Sequence, residues 1–191
     1  MFGPDTIYRI VAIDPGSDTL GVVVLDVDLA ARTISIVHGC TIYAAKVIND
    51  AAPDAMFYGD RYARLSAQYN ALLGIFRFYQ PHAIVHESPF MRKFAEAYRA
   101  LSECIQTAIR GAAFDYDPTI VIEYVDPPTA KISVGVDRRA IKNGSKDLVR
   151  NAIRSLGFPL GPGVNLEYWS EHTVDALAVG VWKAKLLLGM V

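Results

Sequence analysis

The sequence predicts a mixed α/β fold, a central sheet flanked by helices. Three observations predict it. The first 43 residues carry three apolar, β-branched runs separated by turn residues. After them, long stretches with helical spacing alternate with two short apolar runs. Both Ile10-Val11-Ala12-Ile13 and Ala83-Ile84-Val85-His86 drive directly into a carboxylate, Asp14 and Glu87.

Taken in order, 7–13, 21–27 and 33–43 read as an antiparallel meander. Its turns fall at Pro15-Gly16 and across Asp28 to Arg32. Residues 49–53 form a loop. From Met56 to Tyr79 the spacing is helical, with Tyr62, Leu65, Tyr69, Leu72, Leu73 and Phe76 on one stripe, read as core. Pro81 stops that helix, and 82–87 is a strand ending in Glu87. A long helix spans 91–114, and 119–125 is the fifth strand. Asp126-Pro127-Pro128-Thr129 opens a short helix with proline in its first turn. Residues 133–143 read as a loop, and 145–156 as a helix capped by Ser145. The Gly- and Pro-rich segment 157–168 connects to a last helix over 171–188. No repeat, low-complexity stretch or domain boundary interrupts this order, so 1–191 is expected to be one domain.

Composition narrows the function classes. Hydrophobic residues make up 52% and charged residues 20% of the 191, a globular balance rather than a disordered one. A net charge of −1 gives no global electrostatic case for nucleic acid, so such binding must come from a local patch. That patch is at hand: Lys131, Arg138, Arg139, Lys142, Lys146, Arg150 and Arg154 are opposed only by Asp137 and Asp147 within 131–154. Arg150 or Arg154 also reads as a solvated helix face. The two cysteines, Cys40 and Cys104, are far apart and in no metal-binding pattern, which fits reduced thiols in a cytoplasmic protein. No apolar run reaches the roughly 20 residues a membrane helix needs.

The acids give the sequence its chemistry. A Mg²⁺ site wants hard oxygen donors, and it wants them converging from different elements. Asp14 and Glu87 end strands that are candidate sheet neighbours, while His172 and Asp175 lie three apart on one helix face. Each acid alone is an ordinary turn or cap residue; the conjunction points to a divalent-cation nuclease.

The chain resembles the RuvC-type Holliday-junction resolvases of the ribonuclease H-like superfamily, and its departures from the bacterial pattern fit a phage form. Four segments carry the resemblance in order. They are Ile13-Asp14-Pro15-Gly16-Ser17 with Gly21, then Val85-His86-Glu87-Ser88-Pro89-Phe90-Met91, then the lysines Lys131 and Lys146, and last Glu171-His172-Thr173-Val174-Asp175-Ala176-Leu177-Ala178. The resemblance implies a ribonuclease H-like fold with a central mixed five-stranded sheet. It implies that Asp14, Glu87, His172 and Asp175 bind two Mg²⁺ or Mn²⁺ ions, with His172 as a ligand or a water-orienting group. Lys131 and Lys146 would face the scissile phosphate. Phe90 would wedge into the junction and stack on a base, although from the residues alone it reads equally as a core side chain. Arg92, Lys93, Arg138, Arg139 and Lys142 would meet DNA. The 91–114 helix would form a homodimer, bringing one site to each opposed strand of a two-fold junction. The stretch 135–145 departs from the family's small, glycine-rich loop by being more basic, which puts a sequence preference in question.

The expected function is thus symmetric, paired nicking of four-way DNA in recombination and repair, with recombination motors as possible partners. Two other readings stay open: a relaxed nuclease for branched DNA, flaps or RNA in hybrids, and a catalytically silent junction-binding protein. Asp14-Pro15-Gly16-Ser17 also resembles the first phosphate motif of actin-like sugar kinases, but those need two such domains and this chain carries one copy.

Overall fold

The computed structural model describes residues 7–47, 56–57, 59–89, 95–142 and 147–190. Five strands form one mixed sheet in the order β3-β2-β1-β4-β5. They are β1 (Ile7–Asp14), β2 (Thr19–Asp28), β3 (Thr33–Tyr43), β4 (Ala83–Glu87) and β5 (Val121–Val125). The hairpins β1–β2 and β2–β3 are antiparallel, as the short turns demand; β4 and β5 join parallel to β1 through helical crossovers.

Helices cover both faces, so the central strand is apolar on both sides: Ile10 to Ile13 have no solvent exposure. Ile10 and Ala12 point to one core, Val11 and Ile13 to the other. The first core is closed by α5 (Pro127–Ser133), α7 (Leu148–Leu156) and α8 (Glu171–Leu187), with α6 (Arg138–Lys142) alongside. The second is closed by α2 (Asp60–Tyr79) and by a long helix following β4. That helix comprises α3 (Ala95–Glu103), a π-helical stretch Cys104–Ile109 and α4 (Arg110–Tyr116). A single turn, α1 (Ala44–Val47), follows β3.

Three glycines let elements approach closely. A Cβ on Gly180 would lie 2.9 Å from Ala12 Cβ and 2.5 Å from a Leu25 methyl, so α8 can cross the sheet only with glycine there. A Cβ on Gly39 would strike the Trp169 ring at 2.3 Å. A Cβ on Gly21 would sit 2.1 Å from the His172 carbonyl oxygen, which presses the start of α8 onto β2.

The strands and long helices fall where the sequence puts them, with three corrections. Tyr62 leaves the α2 stripe and is 48% exposed, because Gln68 rather than an aromatic completes the buried face with Leu65, Leu72, Leu73 and Phe76. The expected loop 133–143 contains α6; the Asp137 side chain accepts the Arg139 N–H at 2.6 Å and so starts a helix. Helix α7 begins at Leu148, after Asp147, and the proposed cap Ser145 lies outside the described residues. Among the described residues no helix is long and apolar enough to cross a membrane.

Candidate active site

The strand register brings the first two acids together. β1 and β4 run parallel with Ile13 opposite His86, so Asp14 and Glu87 are the next residues on adjacent strands. Both share the side of the sheet that Ala12 and Val85 turn toward α8. On the other side of β1, Asp14 pairs with Gly21, the residue whose missing side chain admits the α8 N-terminus. The helix therefore delivers its first turns onto the strand ends.

That N-terminus is anchored by a hydroxyl network. Ser170 caps α8, accepting the Thr173 N–H at 3.2 Å. Thr41 of β3 contacts both hydroxyls, at 2.6 Å from Ser170 Oγ and 2.7 Å from Thr173 Oγ1. Thr173 Oγ1 donates to the Cys40 carbonyl at 3.0 Å. With the helix so fixed, His172 Nδ1 reaches Asp14 Oδ2 at 2.7 Å. Asp175, one turn on, accepts from Lys131 Nζ at 3.0 Å on Oδ2. Lys131 lies in the last turn of α5, which Asp126 caps by accepting the Thr129 N–H at 3.0 Å.

The electrostatics follow from this crowding. Burial, then the neighbouring Asp14 charge, a hydrogen bond to Asp14 and the Asp175 charge push the Glu87 carboxyl up to about 9, against a smaller opposing pull from Lys131. Burial raises Asp175 as well, opposed by the Lys131 ammonium. The hydrogen bond to Asp14 raises His172 and favours its imidazolium. Glu87 and Asp175 are thus packed where burial and neighbouring negative charge both disfavour their ionised forms.

An acid with a raised folded value holds an extra proton across the interval between its unfolded and folded values. Stability is then lost as pH rises through that interval, from 4.5 to about 9 for Glu87. Glu87→Gln removes the penalty. The metal-free variant is expected to melt several degrees higher than wild type near the top of that window and equally near its bottom, at about 2–4 °C per kcal/mol for a chain of this size. Thermal melts across the window check this; a lower melting point for the variant at high pH would contradict it.

The donors fit a hard divalent cation. Carboxylate oxygens from three elements converge with one imidazole, and the cations now touching them are Lys131 and His172. Among the described residues, no three His, Cys, Asp or Glu side chains are drawn together as a ready-formed cage. A bound ion would take over the oxygens that Lys131 and His172 now occupy.

The structure thus brings together Asp14, Glu87, His172, Asp175 and Lys131. Phe90, Arg92, Lys93 and Lys146 lie outside the described residues. Arg138 and Arg139 are exposed on α6, which also contains Lys142. Arg150 is half-buried and already engaged: it donates to the Leu166 carbonyl and to the Trp169 carbonyl at 2.7 Å, holding the connector that leads into α8. Arg154 pairs with Glu167. Asp18 accepts from Arg64 Nη1 at 2.6 Å as a hairpin-turn residue. The sequence reading missed Gln68, which is fully buried behind the Asp14 turn; the available signal was a lone amide within the apolar spacing of α2.

No family profile and no curated protein sequence matches the chain. Solved structures do. RuvC of Thermus thermophilus superposes with a TM-score of 0.67 at 20% identity, covering 95% of this chain and 97% of that one. The chain has the fold of the RuvC-type resolvases. The same Thermus protein in complex with Holliday junction substrate matches at a TM-score of 0.65 and 19% identity, over 95% and 97% of the two chains. The Holliday junction resolvase of yeast mitochondria matches at 0.63 and 11% identity, over 95% of this chain and 80% of its own. The RuvC-type fold agrees with the ribonuclease H-like, mixed five-stranded sheet expected from the sequence.

Proposed function

We propose that the chain is a metal-dependent, structure-selective DNA endonuclease that resolves Holliday junctions by paired, symmetric nicks. The observation that carries this reading is the convergence of Asp14, Glu87 and Asp175 from β1, β4 and α8, with His172 on Asp14 and Lys131 on Asp175. The shared fold with solved resolvases, one of them bound to its junction, supports the substrate class.

Mg²⁺ or Mn²⁺, as two ions held by Asp14, Glu87 and Asp175 with His172 beside them, would supply Lewis acidity at a phosphodiester and acidify a water. The protein's own groups do the rest. Asp14 holds His172 through Nδ1, which leaves Nε2 to orient a water or carry a proton. Lys131 balances Asp175 at rest, and with Asp175 holding a cation it would serve as a counter-charge for a phosphate. Lys146 is assigned the same role from its sequence position. The rigid β-strand ends keep the acids preorganised.

DNA contacts are assigned to the exposed Arg138 and Arg139 of α6, to Lys142, and to Phe90, Arg92 and Lys93 after β4. Replacing Arg138 and Arg139 by alanine is expected to reduce the slope of log affinity against log salt by about 2, since each phosphate contact contributes about 0.9. Binding titrations at several salt concentrations check this; an unchanged slope would remove α6 from the interface.

A homodimer through the helix after β4 supports paired cutting. None of the residues of α3 is buried within the chain, and Tyr98 there is 39% exposed. A two-fold dimer would place one site on each opposed strand.

A substrate panel tests the reading. Cleavage rates on a four-way junction, flaps, forks, linear duplex and RNA–DNA hybrids are compared under Mg²⁺ or Mn²⁺. A strong preference for the junction is expected. Comparable rates across flaps and hybrids would instead establish a relaxed nuclease, to which the basic α6 in place of a glycine-rich loop would then belong. Junction binding without any cutting would establish a silent binder.

A further inference from the structure

Behind the catalytic face, a buried amide reaches the turn that follows Asp14. Gln68 lies on the inner face of α2 with no solvent exposure. Its Nε2 donates to the Gly16 carbonyl at 2.7 Å. The Cys104 thiol, at the start of the π-helical stretch, lies 3.4 Å from Gln68 Oε1 and 3.6 Å from the same Gly16 carbonyl. Both polar ends of the amide are thus engaged in an otherwise apolar core, where an unpaired amide would be costly.

The turn it grips has little freedom of its own. Pro15 is buried and fixes one backbone angle. A side chain on Gly16 would lie 2.2 Å from the Thr19 carbonyl oxygen, so the hairpin is closed tightly there. The turn connects two strands whose hydrogen bonds end at Asp14 and Gly21 on one side and begin at Thr19 on the other. Inside it, the Gly16 carbonyl takes its support from α2 rather than from the sheet.

We propose that Gln68 is a positioning residue for the metal-binding acid Asp14, acting through the Gly16 carbonyl, with Cys104 setting the orientation of the amide. It touches neither substrate nor cation. The inference rests on the metal-centre reading above and adds to it a residue on the opposite face of the sheet. Fixing a ligand from behind is how outer groups tune cation affinity, typically by about 10–100-fold when they are removed.

The test is Mn²⁺ binding by calorimetry to the full chain without DNA, so that no cleavage is required. Gln68→Met keeps the size and loses the donor. Leu72→Ala, one turn further along α2 in the same core, is the control for lost packing. Wild type is expected to bind Mn²⁺, Gln68→Met about tenfold more weakly, and Leu72→Ala like wild type despite its lower melting temperature. Should Gln68→Met fail to fold, Gln68→Leu, which also lacks a donor and suits the apolar core, is read the same way. Equal Mn²⁺ affinity in wild type and the Gln68 variant, or an equal loss in Leu72→Ala, would overturn the inference alone. No Mn²⁺ binding by wild type would overturn the metal centre itself, and this inference with it.

Discussion

Asp14→Asn and Glu87→Gln are each expected to reduce junction cleavage by roughly 10³-fold or more while leaving junction binding intact. The carboxylates sit at the ends of adjacent parallel strands, one residue beyond the Ile13–His86 pair, and both face α8. Neither belongs to α6, to which the DNA contacts are assigned above, so affinity for DNA is not expected to depend on them. Asp14 has a second task, holding His172 Nδ1 at 2.7 Å, and its amide replacement also removes the charge that favours the imidazolium. The loss should appear in the single-turnover rate rather than in the half-saturating DNA concentration, because a cation held by these acids would act on the phosphate that reacts and not on the DNA contacts assigned to α6. Cleavage retained by cleanly purified Asn or Gln protein would remove both residues from the site.

Gly21→Ala carries the second large effect. Its Cβ would be placed 2.1 Å from the His172 carbonyl oxygen, 2.3 Å from its carbonyl carbon and 2.8 Å from the Thr173 nitrogen. All three are backbone atoms of the first turn of α8, which cannot swing aside as a flexible side chain would. The Thr41, Ser170 and Thr173 hydroxyls hold that turn on β3, so the methyl group must either break this network or push the strand. Overpacking of this kind costs about 1–3 kcal/mol. The larger consequence is for chemistry, since His172 and Asp175 move with the turn, and misplacement by about 1 Å can cost roughly 10²-fold in rate. Gly74 is the control: it lies inside α2 with nothing within 4 Å of an added Cβ, so Gly74→Ala should leave cleavage unchanged and stabilise by roughly 0.5–1 kcal/mol. Melting temperatures and cleavage rates of the two variants decide the matter; wild-type cleavage by Gly21→Ala would show that α8 does not need its close seat.

The sequence carries the acids and the strands plainly, and the reason is local. The short runs Ile10 to Ile13 and Ala83 to His86, leading into Asp14 and Glu87, are strand signals, and the crossover through α2 makes those strands parallel neighbours. His172 and Asp175 share a helix face by spacing alone. What sequence cannot carry is contact between distant segments. Nothing around Gly21 announces that the His172 backbone will land on it, because the two are joined only by packing. Lys131 reads as a phosphate contact, yet at rest it pairs with Asp175, a partner 44 residues on. Gln68 reads as one polar residue on an apolar stripe, and its partner Gly16 lies 52 residues before it. Helix α6 was hidden for a different reason: its glycine-flanked, basic surroundings resemble a loop, and one side-chain cap from Asp137 tips the balance. Of Arg150 and Arg154, either of which the sequence allows as a solvated helix face, Arg154 is exposed, and Arg150 instead holds carbonyls of a connector that has no periodic pattern to announce it.

The most direct measurement is the mapping of cuts made by the wild-type protein on an immobile four-way junction with Mg²⁺ or Mn²⁺. The account predicts two nicks at symmetric positions on opposed strands, releasing nicked duplexes that a ligase can seal without processing. Nicks at unrelated positions, or products that cannot be sealed, would contradict it.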